Sequence, residues 1–200
     1  MYFYTIQTMN AKLTRRWIAA AACILLLQAK GAAAFESLYE RTEPGATEVK
    51  NIPSLLAVSA TGSGSVFDNI GEPFKKLYRY IRANDVAMTV PIEAETSTNR
   101  MRILPSRKLT RADLKSAPDV EIIELAERQV VAVGLRGSYS VGLYERGVKE
   151  LREWLGRQDE WVPAGEPYNV FWDPIWIPGF MKRSEVHIPV VRAEAKEGSR

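Results

Sequence analysis

The sequence predicts an α+β domain of two β-α-β-β half-repeats, closing into a distorted antiparallel β-barrel or curved sheet flanked by two long helices. Three observations predict it. Leu56-Ala57-Val58-Ser59-Ala60-Thr61-Gly62-Ser63 reappears as Val131-Ala132-Val133-Gly134-Leu135-Arg136-Gly137-Ser138, an apolar run ending in a Gly/Ser break. Each copy is followed by apolar residues at three- and four-residue spacing, the period of an amphipathic helix. Each helix is then followed by two strand-like runs. With 46% hydrophobic and 26% charged residues, the 200-residue chain has the composition of a globular domain with a sizeable core.

Residues 1–34 read as a processing segment: basic Lys12, Arg15 and Arg16, an apolar stretch from Ile18 to Leu27, and Ala32-Ala33-Ala34 before Phe35. The apolar stretch is shorter than the about 20 residues a bilayer span needs, so cleavage after Ala34 is expected rather than a lasting membrane anchor. The protein is then periplasmic or secreted, with residues 35–200 as the mature domain. The segment holds four of the 27 basic residues, Lys12, Arg15, Arg16 and Lys30, and none of the 24 acidic ones. The remainder carries 23 basic against 24 acidic residues, which lacks the basic field that nucleic-acid binding requires. Cys23, the one cysteine, would leave with the segment, and with it any thiol chemistry.

Along the mature chain, the first helix is expected from Ser65 or Val66, or from Gly71-Glu72 if Pro73 delays it. It buries Ile70, Phe74, Leu77, Tyr78 and Ile81 and exposes Lys75, Lys76, Arg79 and Arg82. The strands after it are Val86 to Glu95, interrupted by Pro91, and Met101 to Leu104. Pro105 to Pro118 is a linker with a helical turn at Thr110 to Leu114. The second helix ends at Leu155 and buries Leu143, Val148, Leu151, Trp154 and Leu155. Its following strands are Tyr168 to Trp172 and Glu185 to Val191. The Gly/Ser breaks read as strand-to-helix turns with serine N-caps rather than anion sites.

Three motifs carry a resemblance. Ala87-Met88-Thr89-Val90-Pro91-Ile92 resembles the Met-Thr-x-Pro-Val signature of the SOUL heme-binding proteins. Lys182-Arg183-Ser184-Glu185-Val186 resembles their Arg-Arg-Asn-Glu-Val, and Asp173-Pro174 with Pro178 resembles the Asp-Pro-Pro stretch ahead of it. The resemblance implies a GyrI-like fold and binding of heme or another tetrapyrrole through apolar contacts. The ligand would lie near the helix preceding the first motif, at Phe74, Tyr78 and Arg79. Rings cover a flat macrocycle, and a cation pairs with its propionates. The chain departs from the family at Ile177, where members place a basic residue, leaving Lys182 as a nearby cation, and at His187, where they have tryptophan.

His187 is the sole histidine, and two roles stand for it: a strand histidine satisfied by a neighbour, or the iron ligand. Phe171, Trp172, Trp176 and Phe180 either cap the barrel or line a cleft, so Trp176, Phe180 and Lys182 join the candidate site. Glu93 and Glu95 share one strand face, read as solvated. Glu185 could instead be an interior carboxylate suited to cationic ligands. No metal-ligand cluster, phosphate loop or nucleophile motif stands out, so a binding protein rather than an enzyme is expected. Its partner is a tetrapyrrole or another amphipathic small molecule.

Overall fold

The structure, a computed structural model, describes residues 35–63, 66–67 and 71–193. The cleavage point after Ala34, Cys23, Ile70 and the turn at Ser65 lie outside the described residues.

The strands are β1 (Glu36–Ser37), β2 (Thr47–Ile52), β3 (Leu55–Thr61), β4 (Thr89–Val90), β5 (Ile92–Glu95), β6 (Arg100–Ile103), β7 (Glu121–Leu125), β8 (Arg128–Arg136), β9 (Trp161–Pro163), β10 (Tyr168–Phe171) and β11 (Arg183–Arg192). The helices are α1 (Gly71–Ala83) and α2 (Val141–Leu155). Among the described residues the main sheet runs β2-β8-β11-β10-β5-β6-β3-β7, with β9 paired to the end of β11. All these pairings are antiparallel.

The order is symmetric about the β10–β5 junction, and it revises the predicted repeat. Each half is a β-β-α-β-β unit whose leading strand is exchanged: β2 precedes β3 but pairs with β8, while β7 precedes β8 but pairs with β3. The register that sets Ser59 against Arg102 sets Gly134 against Glu185. Arg102 and Glu185 therefore occupy equivalent positions with opposite charge.

Side chains alternate across the sheet. On one face α1 packs Leu77, Tyr80 and Ile81 on Val58, Ala60, Ala94, Met101, Ile103 and Phe171, and α2 packs Leu143, Val148, Leu151 and Leu155 on Val131, Val133, Leu135, Val186 and Ile188. Each Val, Leu, Ile, Met or Phe among them, taken from water, contributes about 1.5–3 kcal/mol. The other face gathers Leu55 and Ala57 of β3 with Val130 and Ala132 of β8, from opposite ends of the strand order. They meet because the sheet curls toward that face, as the predicted curved sheet requires. Leu38 and Tyr39 close the concavity.

α1 starts at Gly71, the later of the two predicted starts, with Pro73 in its first turn where no backbone N–H is needed. The buried stripe is Pro73, Leu77, Tyr80 and Ile81, not the predicted one through Tyr78. Tyr80 turns inward because its hydroxyl donates to Lys115 O in the linker at 2.9 Å, and Tyr78 is left 49% exposed. At α2 the N-cap is Ser140, whose Oγ accepts from Leu143 N. Gly147 lets α2 settle on the sheet, since a Cβ there would lie 2.7 Å from Val186 Cγ2.

Candidate functional site

Two places in the described residues gather chemistry: the outward face of α1 and the interior of the curled sheet. A third feature, the loop between β10 and β11, carries the remaining candidates.

On α1, Phe74 and Tyr78 are one turn apart and stack at 6.1 Å with 25° between their planes. They line a cleft of 730 Å³ with Lys75, Arg79, Arg82 and Ala83. The amphipathic helix places this pair between cations, with Phe74 partly buried against the core and Tyr78 exposed. Arg79 Nη1 meets Asp119 Oδ2 at 3.3 Å, and both side chains are largely exposed. Such a pair is weak and exchangeable. Phe74, Tyr78 and Arg79, expected together from the sequence, are thus brought together.

The interior is polar where β11 faces the concavity. Glu185, fully buried, accepts from Thr42 N at 2.8 Å, Trp172 Nε1 at 2.7 Å, Lys50 Nζ at 2.6 Å and His187 Nε2 at 2.6 Å. Gly134 makes room for this, because a Cβ there would come within 2.2 Å of Glu43 O in the crossing segment. Burial pushes the Glu185 pKa up, but His187 and then Lys50 hold it down at about 2. Burial pushes His187 below its ordinary 6.5, against the pull of Glu185. The pair is a carboxylate and a neutral imidazole, with Lys50 as the compensating cation.

The neutral ring fixes a direction of hydrogen bonding. Its Nε2–H donates to Glu185, so Nδ1 accepts from Tyr168 Oη at 3.1 Å, and Tyr168 in turn accepts from Arg128 Nε at 3.3 Å. Arg128 also meets Glu93 Oε1 at 2.5 Å, and Tyr39 Oη donates to the same oxygen at 3.1 Å. Arg102 pairs with both Glu93 and Glu95. Burial raises the Tyr39 and Tyr168 pKa values, and Glu93 adds to both. Arg102, Arg128 and Tyr168 line a cleft of 460 Å³, so the network meets solvent there while Glu185 and His187 stay sealed. Glu93, read as solvated from the sequence, is 1% exposed: the face it shares with Glu95 is the inner one.

His187 is thus held by its neighbours in this structure. Both ring nitrogens are engaged and the side chain is fully buried, so binding iron would require giving up a hydrogen bond and opening the concavity.

The four aromatic residues considered together in the sequence divide. Phe171 and Trp172 are buried on opposite faces of β10 and its extension. Trp176 and Phe180 are 72% and 75% exposed in the loop, and Lys182 Nζ lies over the Tyr139 ring at 4.9 Å. None of the three lines the cleft along α1.

Sequence reasoning missed Tyr39, Thr42, Lys50, Arg102, Arg128 and Tyr168. The available signal was Gly134, a glycine inside an apolar strand, which marks close backbone approach. A family model described as SOUL heme-binding protein matches residues 33–189. The chain belongs to the SOUL heme-binding protein family. Its motif residues brace the structure: Thr89 Oγ1 donates to Leu104 O, Arg183 grips Asp173, and Glu185 centres the interior network.

Among solved structures, the SOUL domain resembles EcmrR in its complex with DNA, with 11% identity and TM-score 0.60 over 95% of this chain and 70% of that one. It also resembles the C-terminal domain of EcmrR, with 12% identity and TM-score 0.55 over 74% and 98%. A hydrolase from Listeria innocua matches at 13% identity and TM-score 0.56, over 75% and 94%. At such identities the likeness is one of fold, α+β and GyrI-like as expected. Comparison with curated proteins finds no match.

Proposed function

We propose that this SOUL protein binds heme or a related tetrapyrrole on the outward face of α1, and that residues 1–34 direct its export to the periplasm or beyond, where it buffers or carries the ligand. The observation that carries the binding reading is the stacked, accessible Phe74–Tyr78 pair between Lys75, Arg79 and Arg82. The rings offer one side of a macrocycle an apolar platform, and the cations suit propionates at its rim. Asp119 holds Arg79 only through an exposed pair, which a propionate can replace. Iron ligation by His187 is not part of the proposal.

The concavity supports other uses less well. A cationic ligand would seek Glu185, but Lys50 Nζ already stands 2.6 Å from its carboxylate. A hydrolase would use Glu185 as general base, yet the carboxylate is sealed and its donors are all in place. Binding rather than catalysis is the reading these contacts favour.

Hemin titration followed by the Soret band tests the assignment. Saturable one-to-one binding is expected, weakened about three- to tenfold by Arg79→Ala, the equivalent of about 1 kcal/mol. Phe74→Ala should weaken it further, and His187→Ala should leave the band position unchanged. Absence of saturable binding overturns the reading, and a band shift in His187→Ala moves the site to the interior.

A further inference from the structure

The loop joining β10 to β11 presents an apolar tip. Ile175 is 70% exposed, Trp176 72%, Phe180 75% and Met181 49%. Scattered apolar residues on a surface need no explanation, but four large ones on one short loop do.

The loop is built to hold them there. At its base Arg183 Nε donates to Asp173 Oδ2 at 2.9 Å, Arg183 N donates to the same oxygen at 2.7 Å, and Arg183 Nη2 reaches Oδ1 at 2.5 Å. Tyr139 Oη donates to Asp173 O at 2.8 Å, and Trp172 N donates to Arg183 O at 3.2 Å. Within the loop, turns close from Ile177 N to Pro174 O and from Met181 N to Pro178 O. Pro174 before the tip and Pro178 within it fix the backbone. The apolar side chains are thus exposed by a braced scaffold, with little ordering left to lose on contact.

None of the four lines a cleft described above, so the tip is shaped to enter something rather than receive it. Its surroundings are cationic. Lys182 follows the tip directly, and Arg136, exposed at the end of β8, stands opposite Arg183 in the sheet register. Asp173 is neutralised by Arg183, and Glu43, which also acts on Arg183, is paired with Arg41. Trp and Phe with aliphatic neighbours and flanking cations form the pattern that partitions into a headgroup layer bearing negative charge.

We propose that this loop is a membrane-interface anchor, seating Ile175, Trp176, Phe180 and Met181 in the headgroup region of an anionic bilayer while Lys182 and Arg136 meet lipid phosphates. The proposal is independent of the heme assignment.

The test uses the full chain with vesicles of phosphatidylcholine alone or mixed with phosphatidylglycerol, read by co-sedimentation and by hydrogen exchange of residues 174–182. The proposal expects vesicle-dependent protection of this loop, strongest with phosphatidylglycerol. Trp176→Ser/Phe180→Ser should lower vesicle partitioning by about tenfold or more, and Arg136→Glu should lower it only where phosphatidylglycerol is present. All variants share the N-terminal apolar stretch, so its own lipid affinity cancels. The substituted side chains are exposed, and unchanged thermal unfolding confirms that the variants fold. Equal partitioning of the double variant, or no protection of the loop, overturns the proposal. So does self-association in sedimentation velocity that is abolished by Trp176→Ser/Phe180→Ser without any vesicle-dependent protection, which assigns the tip to a second copy of the chain.

Discussion

Glu185 draws its donors from four separated segments, at Thr42, Lys50, Trp172 and His187, and so ties the N-terminal crossing segment and β2 to the centre of the sheet. Replacing it with glutamine keeps the volume but turns an NH2 group toward donors and leaves the Lys50 ammonium without its counter-charge. Loss of one partner from such a buried pair costs about 3 kcal/mol. Glu185→Gln should lower the urea midpoint accordingly with an unchanged slope, and a midpoint within error of the parent would refute the assigned role. The importance of Glu185 was legible in the sequence because it sits in a recognisable motif. Its partners were not: alternation along β2 places Lys50 on a face but does not say which strand lies beside it, and that pairing is with β8, far along the chain.

At the scale of elements, both helices and the strands following them could be read from apolar spacing, as could the delay that Pro73 imposes on α1. β2 and β7 were not read. Glu121-Ile122-Ile123-Glu124-Leu125 is only half-buried at the sheet edge, so its sequence lacks the continuous apolar run of β8. The outward position of Tyr78 also escaped, because the deciding contact is that of Tyr80 with the linker. Packing of α2 yields a sharper test. Alanine is favoured over glycine inside a helix by about 1 kcal/mol, yet at Gly147 a Cβ would crowd Val186 Cγ2 at 2.7 Å and Leu135 Cδ1 at 3.0 Å. Overpacking of this kind costs about 1–3 kcal/mol, so Gly147→Ala should lower the melting temperature where propensity alone would raise it. A stabilised variant would show that α2 can lift from the sheet freely.

For the whole molecule the interior network sets a pH dependence. The folded pKa of His187 lies below its ordinary 6.5, so the unfolded chain takes up this proton first and stability falls as pH drops below about 6.5. Glu185, held at about 2 against an ordinary 4.5, adds a second loss as pH falls from 4.5 toward 2. Both shifts favour the neutral side. The unfolding free energy, measured by urea titration, should therefore decline between pH 6.5 and 5, and His187→Gln should flatten that decline even though its stability is lower throughout. A flat profile for the parent protein in this window would contradict a neutral, sealed imidazole.

The exchanged leading strands have a consequence for the order in which the chain is made. β2 is synthesised long before β8, the strand that receives it, and β11, which lies between β8 and β10 at the centre of the sheet, is the last strand of the described chain. A nascent chain that has finished its first half holds a strand without a neighbour and a concavity without Glu185. Assembly of the sheet therefore waits for the final strand, and until β11 has left the ribosome the two halves of the polypeptide have no shared centre on which to meet.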